Sequence, residues 1–391
     1  MSSNNKLIIF FAGLALYFLS AGISYFVFGS VLSKNPAAVS VPLPKVSQDG
    51  QLNFDESLPK TEECPINGAK YSKQQEAWWN THGPLTVMIE NHQEARPQSG
   101  LSKADTIYEI VAEGGISRFL TVFYCQDPGQ LGPIRSARTY FIDFASEYGD
   151  FPLYVHVGGA NTPGPADALS QLTTYGWTNH NDLNQFSIGF PTFWRDYDRL
   201  GHPAATEHTM YSTTEKLLQF AATSRKLTAE DENGTTWTKG FVPYSFKEDA
   251  PVSQRPPKQT IHLEFWAEDP AYAVDWIYEP IANIYKRNNR EVAQIDRNNS
   301  QQLTAKNIVV LYMFQTNAND GYQDNQHLLY KTKGVGRANI FMDGKQITGT
   351  WRKDSRTART LLFDNTGLPI KFDRGTIWFE ILPTDGILTV K

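Results

Sequence analysis

From residue 84 onward the chain alternates short β-branched and aromatic runs with longer amphipathic ones. Residues 85–90 (LTVMIE), 106–113 (TIYEIVAE), 118–124 (RFLTVFY) and 153–159 (LYVHVGG) read as strands. Residues 136–149 (SARTYFIDFASEYG), 164–176 (GPADALSQLTTYG) and 212–227 (STTEKLLQFAATSRKL) read as helices, the last capped by Ser212 or Thr213 with Glu215 in its first turn. This ordering predicts an α/β or α+β first domain. After residue 259 the pattern changes to short strands separated by turn signals: TIHLEFW, NIVVLYMF, HLLYKT, NIFMDG, ITGTWRK, RTLLFDN and TIWFEILP. A mainly antiparallel β second domain is expected there.

One stretch fits neither pattern. Residues 7–32 (LIIFFAGLALYFLSAGISYFVFGSVL) carry no charge and are mostly apolar, which is long enough for a helix across a bilayer core needing about 20 residues. The apolar run is too long for an ordinary signal peptide, so an uncleaved single-pass anchor in the cell membrane is expected. Lys6 on the short flank predicts the amino terminus inside and the bulk of the chain extracytoplasmic. The resulting division is a tip and anchor over 1–32, an extended Pro-rich linker over 33–60, a first domain over 61–228, a connection over 229–258 and a second domain over 259–391. The roughly 330 residues beyond the linker exceed what one core usually serves, which gives the two-domain division.

The formal charge of −5, with acids and bases interspersed, points away from nucleic acid, so any basic site must be local. Such a site is suggested between residues 84 and 138, where charges cluster at strand ends. Glu90 ends the first strand and Asp105 precedes the second. Glu109 and Glu113 follow with a period of two that places them on one face. Arg118 opens the third strand, and Arg135 and Arg138 flank the start of a helix, a setting suited to phosphate or carboxylate. The alternative for each is a buried ion pair. His156 ends a strand that runs into Gly158-Gly159, and Arg195, Asp196 and His208 lie on a polar stretch before the last helix. These eleven residues are the candidate ligand set, with His208 a possible base or donor near neutral pH.

The two cysteines, Cys64 and Cys125, are candidates for a disulfide in an oxidising compartment or for two free thiols. Neither CxxC nor a Cys/His cluster is present, so no metal is assigned from spacing, and no catalytic residue is assigned. Trp266, Trp276, Trp351 and Trp378 either fill the second core or offer a platform to a protein or glycan partner.

The segments ARPQSGLSKAD (95–105), EGGISRF (113–119) and GPIRSAR (132–138) resemble the YerB family of bacterial envelope proteins, domain of unknown function 3048, over the chain from Cys64 to its end. The resemblance extends to Arg195, Asp196, His208 and Tyr211. It implies the fold pair and an envelope location, and no activity. Members are often lipoproteins held by a lipidated cysteine; none lies in or just after residues 7–32, so this chain would be tethered by its helix. The expected function is therefore binding of an anionic envelope ligand or cell-wall partner without a cofactor. A second likeness gives the alternative. ADTIYEI, PIRSAR, HVGGA and RDYDR follow the order of stretches in LytR-CpsA-Psr phosphotransferases. That likeness implies Asp105, Arg135, Arg138, Arg195 and Arg199 around Mg²⁺ and a pyrophosphate-linked substrate, although Arg135-Ser136 stands where those enzymes have Arg-Asp.

Overall fold

The computed structural model describes residues 12–20, 44–46, 51–266 and 270–391. The chain divides into two units, Met1–Leu43 and Pro44–Lys391. In the first, residues 12–20 are helical. Most of the expected anchor lies outside the described residues, among which no helix is long and apolar enough to cross a membrane. The second unit is built on a ten-stranded sheet. Its strands in chain order are β1 (Leu85–Glu90), β2 (Thr106–Glu113), β3 (Ile116–Phe123), β4 (Leu153–His156), β5 (Asp182–Asn184), β6 (Asn307–Met313), β7 (Gly334–Met342), β8 (Lys345–Lys353), β9 (Leu361–Asp364) and β10 (Ile377–Pro383).

Across the sheet the order is β5-β4-β1-β3-β2-β10-β6-β7-β8-β9. β10, late in the chain, lies parallel between β2 and β6. The two halves of the sequence therefore share one sheet, and the 229–258 segment joins them without separating two cores. The first half is mixed α/β, and the second is mainly antiparallel, as the change of pattern predicted. Fully buried strands such as β1 and β10 are near-continuous apolar runs because both faces are covered.

One face is covered by the helix Thr139–Ala145, whose residues are all buried. Tyr108 of β2 lies between Phe379 of β10 (4.6 Å) and Phe144 of that helix (4.8 Å). A smaller antiparallel sheet of Thr260–Glu264, Val274–Glu279, Ile284–Asn289, Val292–Ala293, Thr304–Ala305 and Ile387–Val390 covers the other face. Its hairpin 274–289 was not read from the sequence, although Val274, Trp276 and Tyr278 alternate inward. Trp276 packs edge-on against Trp378 of β10 at 5.0 Å. Trp276, Trp351 and Trp378 are thus core residues, and only Trp266 is exposed.

Thr213 caps the helix Thr214–Ser224, accepting from the Lys216 N–H. Cys64 and Cys125 are joined in a disulfide. The later part of the expected linker, residues 51–59, is not free. Leu52 N–H donates to Asp127 and Asp55 N–H to Gln74, and Phe54 packs on Trp78.

Candidate functional site

The site begins with a break in strand alternation. Ile110 and Glu90 both pair with Arg118, so these three side chains point to the helix-covered face, and Glu109, one residue earlier, points to the other. A register shift between Val111 and Glu113 flips Glu113 onto the Arg118 face. Gly114 and Gly115, at φ 55° and 76°, make the tight turn that returns the chain beside Glu113. The expectation that Glu109 and Glu113 share a face is thereby corrected.

The segment after Pro133 runs along the end of β1. Glu90 N–H donates to the Pro133 carbonyl and Arg135 N–H to that of Met88, each at 2.9 Å. Arg135 and Arg138 are delivered beside Arg118. Glu113 accepts from Arg138 Nε, and its other oxygen is 3.5 Å from Arg118 Nη2. Arg118 also donates to the Ser136 carbonyl (3.0 Å), and Arg138 to that of Ala137 (2.6 Å). Arg135 Nε reaches Glu90 at 3.2 Å. Glu113 and the three arginines line a pocket of about 270 Å³.

Its remaining walls are Gly159, Ala160 and Asn161 after β4 and, from the second half of the chain, Tyr322 and His327. Their rings stack at 3.9 Å, and Asp320 accepts from His327 Nδ1 at 2.8 Å. The loop carrying them approaches closely: a Cβ added at Gly164 would lie 2.9 Å from the Asp320 Cβ. Neither residue was read from the sequence, because DGYQDNQH carries only a generic loop signal.

Burial alone would raise the Glu113 pKa, but Arg118 and Arg138 outweigh it and hold the carboxyl below its usual range. Burial, reinforced by Arg138, pulls Arg118 down to about 10. The pocket is lined by three guanidinium groups and the Glu113 carboxylate, and with Glu90 paired to Arg135 one positive charge is left over for an anion.

Behind Arg135, the buried Glu90 links the pocket's arginines to His208, whose Nδ1 is 2.8 Å from Glu90 Oε2. That hydrogen bond, opposed by partial burial, raises the His208 pKa above 6.5. On Glu90, burial is outweighed by His208, Arg135 and Arg118, which hold its pKa below 4.5. The His208 contribution to stability is then complete below pH 6.5 and lost as pH rises through the folded value. The Glu90 contribution is present above pH 4.5 and lost as pH falls through its folded value. The charged groups acting on His208 include Glu90, Glu94, Glu207 and Arg135. We expect the urea midpoint to fall from about pH 6 to 8 more in the parent than in His208→Gln; equal falls would show the pair to be unimportant.

Five sequence candidates lie elsewhere. Asp105 accepts from Asn67 Nδ2 and from the Tyr124 and Cys125 N–H groups beside the disulfide. Burial pushes it up to about 7. It precedes the strand that Glu113 ends, so the two are about 26 Å apart at roughly 3.3 Å per residue. Glu109 pairs with Arg287 inside the core, both fully buried. His156 is buried between Asp182 and the Gly158 carbonyl. Arg195 donates to the Thr206 carbonyl and to Thr209, bracing its own loop, and the Asp196 carboxylate accepts from the Asp198 N–H.

Residues 70–228 match the protein of unknown function (DUF3048) N-terminal domain, and residues 261–379 match its C-terminal domain. The chain belongs to the DUF3048 family. It is 28% identical over 302 residues to a Bacillus subtilis (strain 168) protein named "Putative lipoprotein YerB", covering 77% of this chain and 81% of that one. The crystal structure of YerB from Bacillus subtilis is similar with a TM-score of 0.68 at 24% identity, covering 85% of this chain and 100% of that one; it shows the shared fold. In this DUF3048 protein the pocket takes Glu113, Arg118, Arg135 and Arg138 from the first matched segment and Tyr322 and His327 from the second.

Proposed function

We propose that this DUF3048 protein acts in the cell envelope by binding a phosphate-bearing ligand through Arg118, Arg135 and Arg138. The single observation carrying this reading is the convergence of three guanidinium groups on a pocket of about 270 Å³, where Glu113 and, behind Arg135, Glu90 leave one positive charge unmatched. Planar guanidinium forks match phosphate oxygens in pairs, and partial burial strengthens each charge-assisted bond. Arg135 is the most exposed of the three, at 27%, and has the fewest ties to the protein. It is the group freest to turn onto a ligand. An extracytoplasmic, membrane-associated location is supported by the lipoprotein name of the Bacillus subtilis relative and by the uncharged residues 7–32.

The Mg²⁺-dependent phosphotransferase reading placed Asp105 among the arginines. Asp105 is instead committed to backbone N–H groups at the disulfide, and Glu113, the acid that does line the pocket, already serves two arginines. Binding is therefore the reading we adopt. Calorimetric titration of the whole chain with inorganic phosphate and pyrophosphate, without Mg²⁺, tests it. We expect saturable binding that Arg135→Ala weakens at least about tenfold, the scale of one lost charge-assisted bond, in a chain that keeps a cooperative urea transition. No binding of either anion, or full affinity in Arg135→Ala, would overturn the reading.

A further inference from the structure

The second oxygen of Glu90 leads out of the arginine pocket to a different set of groups. His208 Nδ1 faces Glu90 Oε2, and its Nε2 lies 3.5 Å from Glu94 Oε2. The His92 ring is parallel to that of His208 with centroids 4.7 Å apart. One ligand atom from each of His92, Glu94 and His208 lies within 4.8 Å of the others. We propose that these three residues bind a divalent transition-metal ion of the zinc type.

Three features carry the proposal. The donor set is two imidazoles and a carboxylate, which suits zinc and its neighbours better than the hard cations. His208 is buried, and its Nδ1–H is held by a carboxylate, so the neutral ring presents the Nε2 lone pair outward. That is the arrangement by which an outer carboxylate fixes a metal-binding histidine. Glu94 is largely exposed, at 57% of its side chain, and free to swing inward. The ligand atoms of a tetrahedral zinc site stand about 3.3 Å apart at bond lengths near 2.0 Å. Closing the cluster therefore requires side-chain rotation only. His92 gives up its 3.2 Å acceptance from the Glu94 N–H, a weak bond, and the ring stack opens.

Charge favours the same outcome. Arg135 opposes a cation through Glu90, but Glu90 and Glu94 together outweigh one guanidinium. Three protein ligands leave a fourth position for water or an incoming group. The two other groups of suitable spacing among the described residues do not compete. Cys64 and Cys125 are bonded to each other next to Asp105, and Asp249, Asp343 and Asp373 are neutralised by Lys247 and Lys306. His262 has both ring nitrogens engaged by Asp275 and Glu264 and serves as a control.

The test is a Zn²⁺ titration of the metal-depleted whole chain in phosphate-free buffer near neutral pH, read by calorimetry with a competing chelator. One ion per chain is expected, with affinity lowered at least tenfold in Glu94→Gln and in His92→Asn and unchanged in His262→Ala. Because Glu94 is exposed and His92 only half-buried, their variants should fold even if His208→Ala does not. Co²⁺ in the same site reports on Glu90 as a positioning residue: Glu90→Gln should shift the visible bands of the bound ion while one Co²⁺ per chain is retained. Absence of a bound ion, or affinity unaffected by Glu94→Gln and His92→Asn, would overturn the proposal. The readout uses the metal alone, so it is independent of whether the arginine pocket binds phosphate.

Discussion

Replacing Arg287 by methionine is expected to lower the unfolding free energy by about 3–5 kcal/mol, the cost of leaving a buried partner charge uncompensated. Arg287 and Glu109 are both fully buried. The guanidinium is surrounded by the rings of Trp378 (4.9 Å), Trp276 (5.5 Å) and Phe119 (5.7 Å), so water cannot replace it. Glu109 is also held by Asn91 and Ser117. Its neighbour Glu380 has its pKa raised well above the ordinary value by burial and then by Glu109. A single guanidinium therefore balances a single ionised acid in a pair of acids. The second substitution Glu109→Gln should restore most of the loss, because it removes the orphaned charge. Urea unfolding of the parent, Arg287→Met and Arg287→Met/Glu109→Gln measures both steps. A single variant within about 1 kcal/mol of the parent would refute this account.

The double replacement Cys64→Ala/Cys125→Ala should cost about 4 kcal/mol. The bridge spans 61 residues, and the chain-entropy relation gives that figure for a loop of this length. The bond ties the segment ahead of the helix Lys73–Trp79 to the end of β3. Without it, the described residues 51–72 keep hydrogen bonds and packing, such as those to Asp127 and Trp78, and a partly exposed ion pair between Glu63 and Arg374. A shift in the urea midpoint equivalent to less than 1 kcal/mol would mean that the unfolded chain is already constrained there by other contacts.

How much of this was visible in the residues depends on the range of the interaction. Glu90, Glu113, Arg118, Arg135 and Arg138 were legible as a group because strand ends and a Gly-Gly turn are local signals. Alternation reveals the face a side chain takes, but not a shift in register, so Glu109 was grouped with Glu113 although the bulge after Val111 sends them to opposite faces. Nor does alternation distinguish the two ends of a strand, and Asp105 was placed with arginines that belong at the other end. Partners from the far half of the chain left no trace. Arg287, 178 positions from Glu109, and His327 and Tyr322 reach their places only through the shared sheet. His92 and Glu94 escaped notice because their spacing matches no metal motif, and His208, 118 residues from Glu90, completes the set.

The position of β10 bears on how the chain reaches its folded state. As synthesis proceeds from the amino terminus, β1 to β5 can pair, but the open side of β2 stays unmatched until residues 377–383 arrive. Until then an apolar strand edge faces whatever lies nearby, and such edges recruit other chains. Maturation of this protein should accordingly depend on protection by a holding factor up to the last few residues. Premature termination anywhere before β10 should yield aggregated or degraded material, with no smaller stable product.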